Sequence, residues 1–137
     1  MAIEQVPYKE NKKATLAGLD EYTKEKVPNL QMDTKAISFV YKEEDQVLGR
    51  IVGHVQWDHI KIELFYVSKQ TQGKGIGSKL LAHVETIARD EHYRYVYLET
   101  MSFNAPAFYQ KHGYEIIGQI ENSPLPGETR YFMKKDM

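Results

Sequence analysis

Cysteine is absent from the 137 residues, which removes disulfides, thiolate metal sites and a thiol nucleophile together. No metal site is read from the residues that remain. Net charge is nearly absent as well. Eighteen lysines and arginines against 19 acids leave −1, whereas a general nucleic-acid binder needs a strongly basic face. No run approaches the length of apolar sequence that spans a bilayer, and Met1-Ala2-Ile3-Glu4 lacks the charged and apolar regions of a signal peptide. The expectation is a soluble cytoplasmic protein with neither nucleic acid nor membrane as partner. What the chain does hold is apolar residue: 42% is hydrophobic, enough for one core. With no repeat and no low-complexity linker, residues 1–137 read as a single domain.

Periodicity orders the elements. Leu16, Leu19 and Tyr22 at spacings of three predict an amphipathic surface helix over 11–26, stopping before Pro28. Residues 36–42, 47–57 and 60–67 alternate and predict an antiparallel meander, with Val47, Ile51, Val55 and Trp57 on one face of the second strand. Ile76, Leu80, Leu81, Val84, Ile87 and Ala88 then fall at helical spacing. A strand over 95–99, a short helix over 105–112 ending at Gly113, and strands over 114–120 and 129–134 follow. Helix, three strands, helix, strand, helix, two strands is an α+β order with a mixed sheet.

Between the third strand and the long helix lies Gln70-Thr71-Gln72-Gly73-Lys74-Gly75-Ile76-Gly77-Ser78. A strand, a glycine loop and a helix N-terminus make a physical recipe for an anion, because unpaired N–H groups and the positive dipole end point at it. A glycine-rich tight turn is the simpler reading of the glycines alone. The P-loop pattern fails, since Gly77 is followed by Ser78 before Lys79, and so does the dinucleotide fingerprint, since the loop reads G-K-G-I-G.

Gln72-Gly73-Lys74-Gly75-Ile76-Gly77 resembles the Q/R-x-x-G-x-G/A signature of the GNAT superfamily of acyl-CoA-dependent N-acetyltransferases. Asn104 to Tyr114, with Tyr109 and Lys111-His112-Gly113-Tyr114, looks like the family's second signature, and the likeness runs over about 36–137 with the same order of elements. It implies a twisted, mostly antiparallel sheet of about six to seven strands, splayed where acetyl-CoA binds. The implied reaction is direct transfer of an acetyl group from acetyl-CoA, as cosubstrate, to a primary amine of a small molecule or protein. A homodimer through the last strands is left open by the same likeness. Two departures stand out: residue 72 is Gln where Arg is commoner, and Asn104 stands closer to the tyrosine than is usual.

The resemblance also assigns roles. The diphosphate would lie on the amides of Gly73, Lys74, Gly75, Ile76, Gly77 and Ser78, beside Gln72. Lys74 and Lys111 would meet phosphate oxygens or else stay solvated. Asn104 would border the same ligand. The pantetheine arm would pair with Phe65, Tyr66 and Val67, where family members carry a β-bulge. Tyr109 stands at the general-acid position. An alkylammonium lies about three pKa units from neutral at pH 7, a cost of roughly 4 kcal/mol, so a base helps. Glu63, between Ile62 and Leu64 on the strand leading to that site, is the candidate, with His54 and His59 as lesser ones. A non-catalytic acyl-CoA-binding module of the same fold is the alternative reading, and a nucleotide-phosphate binder the third.

Overall fold

A computed structural model describes all 137 residues, and backbone contacts divide them into two units, 1–32 and 33–137. The first unit is built on one helix, α1 (Tyr8–Lys26), three residues longer at its start than the periodicity predicts. Pro7 explains the difference: its restricted φ of −58° suits the entry to a helix, and Tyr8-Lys9-Glu10 then continue it. No residue of α1 is buried. No helix of the chain is long and apolar enough to cross a membrane.

The second unit runs β1 (Lys35–Glu43), β2 (Gln46–Gln56), β3 (His59–Val67), α2 (Ile76–Asp90), β4 (Tyr95–Met101), α3 (Pro106–Lys111), β5 (Glu115–Glu121) and β6 (Thr129–Asp136). The six strands form one sheet in the order β1-β2-β3-β4-β6-β5. Only β3 and β4 pair in parallel, and α2 supplies the crossover such a pair needs. The α+β class and the mixed sheet are therefore as expected, at the lower strand count. Glu44 and Asp45 join β1 to β2 with φ of 48° and 67°, the paired left-handed residues of a tight hairpin.

Trp57 departs from its predicted place on the inner face of β2. It sits in the turn before β3 with φ 53° and is exposed, while Ile51 and Val55 point inward as alternation requires. The core lies between the sheet and α2. Leu81, Val84 and Ala88 meet Ile51, Ile60, Val96, Leu98 and Met133 there, all at most 2% exposed. Close approach is secured by Gly49 of β2, where a Cβ would stand 2.9 Å from Leu80 Cδ1. Glu85 of α2 is buried yet satisfied: it accepts from Tyr114 Oη at 3.0 Å and Lys135 Nζ at 2.9 Å, tying α2 to β6.

Candidate active site

The site begins where two neighbouring strands part. β3 pairs with β4 only over His59–Lys61 against Tyr95–Tyr97, although β3 continues to Val67 and β4 to Met101. Beyond Lys61 the β4-facing edge of β3 has no strand beside it. The cause lies in the other ladder. β2 pairs Val52 with Leu64 but Gly53 with Ile62, so Glu63 is an extra residue, a β-bulge that turns the end of β3 aside. The bulge also reverses the inside–outside phase. Ile60 and Ile62 are buried before it, whereas Leu64 and Tyr66 after it are 71% and 64% exposed. A cleft of about 1230 Å³ opens between the strands, with Glu63, Phe65, Tyr66 and Val67 along one wall.

At the end of that wall the chain passes a short 3₁₀ turn, Lys69–Thr71, and enters the glycine loop. Gly73 and Gly75 have φ of 86° and 81°, a left-handed conformation that residues with a Cβ rarely adopt. Gly75 is the N-cap of α2 and has no side chain with which to cap it. The first helical amide bonded in the fold is that of Lys79, donating to Gly75 O at 3.0 Å. The amides of Gly73, Gly75, Ile76, Gly77 and Ser78 are left without a backbone partner, and all five residues line the cleft. Lys74 differs from its neighbours. Its amide closes a turn onto Thr71 O at 3.3 Å, and the residue does not wall the cleft. Gln72 lines the cleft and donates from Nε2 to Val67 O at 3.3 Å.

The opposite wall comes from β4 and α3. Asn104, Tyr109 and Lys111 all reach the cleft. Pro106 starts α3 and Gly113, at φ 91°, releases the chain after it. Tyr109 is 8% exposed, its ring held by Phe65, Phe108 and Tyr114. Its hydroxyl has no hydrogen-bond partner, yet no fully buried side-chain oxygen or nitrogen is unpaired, so that hydroxyl opens onto the cleft. Burial pushes its pKa up to about 12. Phe108 packs in the same cluster, 3.3 Å from where a Cβ on Gly77 would stand, so the glycine lets α3 approach the head of α2.

Glu63 meets neither Lys61 nor any other lysine. Its carboxylate accepts from His54 Nδ1 at 2.6 Å, across the β2–β3 ladder. His59, by contrast, is buried, stacked on Tyr95 at 4.5 Å and bonded to Asp58, away from the cleft wall. Two cleft residues escaped the sequence reading. Glu99 of β4 accepts from Arg130 Nε at 2.8 Å, with Lys61 at 3.8 Å. His112 accepts from or donates to Ser78 Oγ at 2.8 Å. Glu99 was hidden because only the pairing of β4 places it on the cleft side. His112 lay inside a motif whose other members drew the assignment.

Comparison with known proteins gives this geometry a lineage. Residues 5–114 match the model of the acetyltransferase (GNAT) family. Blasticidin-S acetyltransferase of Streptomyces morookaense is 38% identical over 97 residues, spanning 69% of this chain and 70% of that protein. An acetyltransferase from Bacillus cereus superposes with a TM-score of 0.90 at 28% identity, over 100% of this chain and 98% of its own. A Bacillus anthracis protein described as a streptothricin acetyltransferase, solved in complex with acetyl coenzyme A, gives a TM-score of 0.65 at 25% identity, over 74% of this chain and 62% of that one. Splayed strands, a capless glycine loop and this match together show that the chain belongs to the GNAT family of acetyltransferases.

Proposed function

We propose that the protein transfers the acetyl group of acetyl-CoA to a primary amine on a small, cationic acceptor of the antibiotic kind. The observation that carries this reading is the conjunction of an unpaired β3 edge with five unpaired amides at the head of α2. A diphosphate suits the amides and the positive helix end. The two amides of a pantetheine arm suit a strand edge, which offers alternating N–H and C=O groups. The similar Bacillus anthracis protein binds acetyl coenzyme A, which supports the same donor here.

Acetyl-CoA supplies an activated acyl group and a thiolate that can leave. The chain's residues do the rest. Glu63 faces the cleft at the bulge and accepts the proton that an ammonium must lose before it attacks. Its only ion-pair partner is an imidazole, so it offers negative charge that no lysine or arginine cancels, unlike Glu99. A cationic acceptor is therefore favoured, and the names of the Streptomyces and Bacillus relatives, a blasticidin-S and a streptothricin acetyltransferase, support an antibiotic as its kind. Tyr109 directs a phenol O–H into the cleft to stabilise the departing sulfur. With its pKa near 12 against about 8.5 for a thiol, full proton transfer is uphill by roughly 5 kcal/mol. Its contribution is a hydrogen bond to the developing thiolate rather than a delivered proton.

Thiol release from acetyl-CoA, measured against blasticidin S, streptothricin, polyamines and peptide amines, tests the proposal. Turnover with a cationic antibiotic and none with a peptide is the expected result. Binding of acetyl-CoA without turnover on any amine would instead point to the non-catalytic module.

A further inference from the structure

The contact between Ser78 and His112 joins the head of α2 to the end of α3, inside the cleft and 34 residues apart in sequence. Its hydrogen positions follow from its neighbours. His112 Nδ1 lies 2.8 Å from Phe108 O, and a carbonyl can only accept, so Nδ1 carries the hydrogen. In the neutral ring Nε2 is then a bare acceptor, and the Ser78 hydroxyl must donate to it at 2.8 Å. Ser78 thereby shows only lone pairs to the cleft, beside the unpaired amides that suit a diphosphate.

That arrangement conflicts with a phosphate oxygen, which also only accepts. Turning the hydroxyl outward would leave two lone pairs facing each other across the same short contact. One proton on Nε2 resolves the conflict. The ring then donates to Phe108 O and to Ser78 Oγ, and Ser78 donates to the anion. Resting on the acetyl-CoA reading above, we infer that His112, acting through Ser78, anchors the diphosphate of the cosubstrate by taking up one proton from solvent when it binds.

The surrounding charge favours this linkage. On the elements that meet at His112, α2 contributes Lys79, which reaches Tyr41 Oη at 3.5 Å, and the loop contributes Lys74. α3 itself contributes Lys111 and Tyr109, the latter kept neutral by burial. No carboxylate pairs with His112, and the positive end of α2 faces it. A diphosphate bound beside His112 and Ser78 would bring negative charge to a cluster that otherwise holds none. The role also fills a gap. Gln72 carries no charge and is turned to Val67 O, so the loop itself lacks a fixed cation against the ligand.

The probe is 3′-dephospho-CoA, which keeps the diphosphate but lacks the phosphomonoester of CoA that itself titrates near neutrality. Calorimetric binding from about pH 6 to 8.5, in buffers of different ionisation enthalpy, reads affinity and proton uptake together. Affinity is expected to be full below the imidazole range and to weaken at least about fivefold as pH rises through it. Uptake should peak between those limits, at about 0.4 proton for a fivefold change in affinity and about 0.8 for a hundredfold change. H112Q places an uncharged amide donor near Nε2 and should bind with little pH dependence, and S78A should lose the uptake while keeping its melting temperature. Equal affinity and no uptake across the range, or wild-type uptake in both variants, would overturn the inference while leaving the donor assignment standing. Absence of binding at every pH would sink the donor assignment itself.

Discussion

A Cβ added to Gly53 would stand 2.1 Å from the carbonyl oxygen of Lys61, closer than any packed side chain tolerates. The two residues lie on neighbouring strands immediately before the bulge at Glu63, and their approach is what lets one residue of β2 face a displaced β3. Backbone against backbone cannot yield as a flexible side chain can. Gly53→Ala should therefore straighten or slip the ladder, with a stability loss of about 1–3 kcal/mol and weakened acetyl-CoA binding. Thermal melts and calorimetry on the variant check both, and a variant that melts and binds like wild type would detach the bulge from the site.

Tyr109 makes a separate prediction, since its hydroxyl meets the cleft and its ring meets the core. Tyr109→Phe keeps the ring, so acetyl-CoA binding should persist while kcat falls about a hundredfold. In the proposed mechanism the donor is the protonated phenol, and its pKa near 12 keeps it protonated through the working range, so no alkaline loss of activity below about pH 10 belongs to it. Stability carries the same sign. A folded pKa raised from 10 to about 12 contributes fully below pH 10 and is lost between pH 10 and 12, an effect of about 2–3 kcal/mol. Denaturant melts above pH 10 should show a shallower decline in the phenylalanine variant.

Much of this was legible in the residues themselves. Alternation and helical spacing record which face meets the core, and that is why Ile51, Val55, Leu81 and Val84 fall where their pattern puts them. The glycine loop was legible for the same local reason, because left-handed φ at Gly73 and Gly75 is a property of single residues. Pairing between strands is a different kind of information. The bulge at Glu63, the end of the β3–β4 ladder at Lys61 and the cleft position of Glu99 depend on partners far along the chain. Trp57 shows the limit at its sharpest: it continues the apolar alternation of β2 by residue type, but the hairpin turn claims it. The partner of Glu63 was hidden likewise, because His54 reaches it only through the register of β2 on β3.

That partner shapes the third expectation. Glu63 hangs at a bulge, about half exposed, and the bond from His54 is what fixes its carboxylate toward the cleft. Glu63→Gln preserves size and a hydrogen-bonding oxygen while removing the proposed base. Its kcat/KM on a cationic amine should fall about a hundredfold or more at pH 7. The loss should shrink as pH approaches the pKa of the amine, where free base is already abundant. Rates measured to about pH 10 decide it; a loss that stays constant with pH would make Glu63 a binding residue only.

Glu85 predicts where stability, rather than chemistry, is held. It is 6% exposed and gathers Tyr114 Oη, Lys135 Nζ and, at 3.6 Å, Arg89 around one carboxylate. Burial, with the carboxylate beside it, drives the Tyr114 pKa well above the ordinary phenol value, so this hydroxyl stays a donor at every workable pH. Glu85→Ala removes the acceptor from three groups at once and leaves a partly buried lysine without its ion pair, which should cost about 3–5 kcal/mol. Glu85→Gln keeps an oxygen for Tyr114 and should cost less. Because Tyr114 follows α3 and packs edge-to-face against Tyr109, the alanine variant should also loosen the wall that carries the cleft tyrosine. Urea melts of the two variants, read beside their acetyl-CoA affinities, separate these effects. If alanine and glutamine melted alike, the oxygen that glutamine keeps for Tyr114 would add nothing, and the loss common to both would belong to the carboxylate charge and its pair with Lys135.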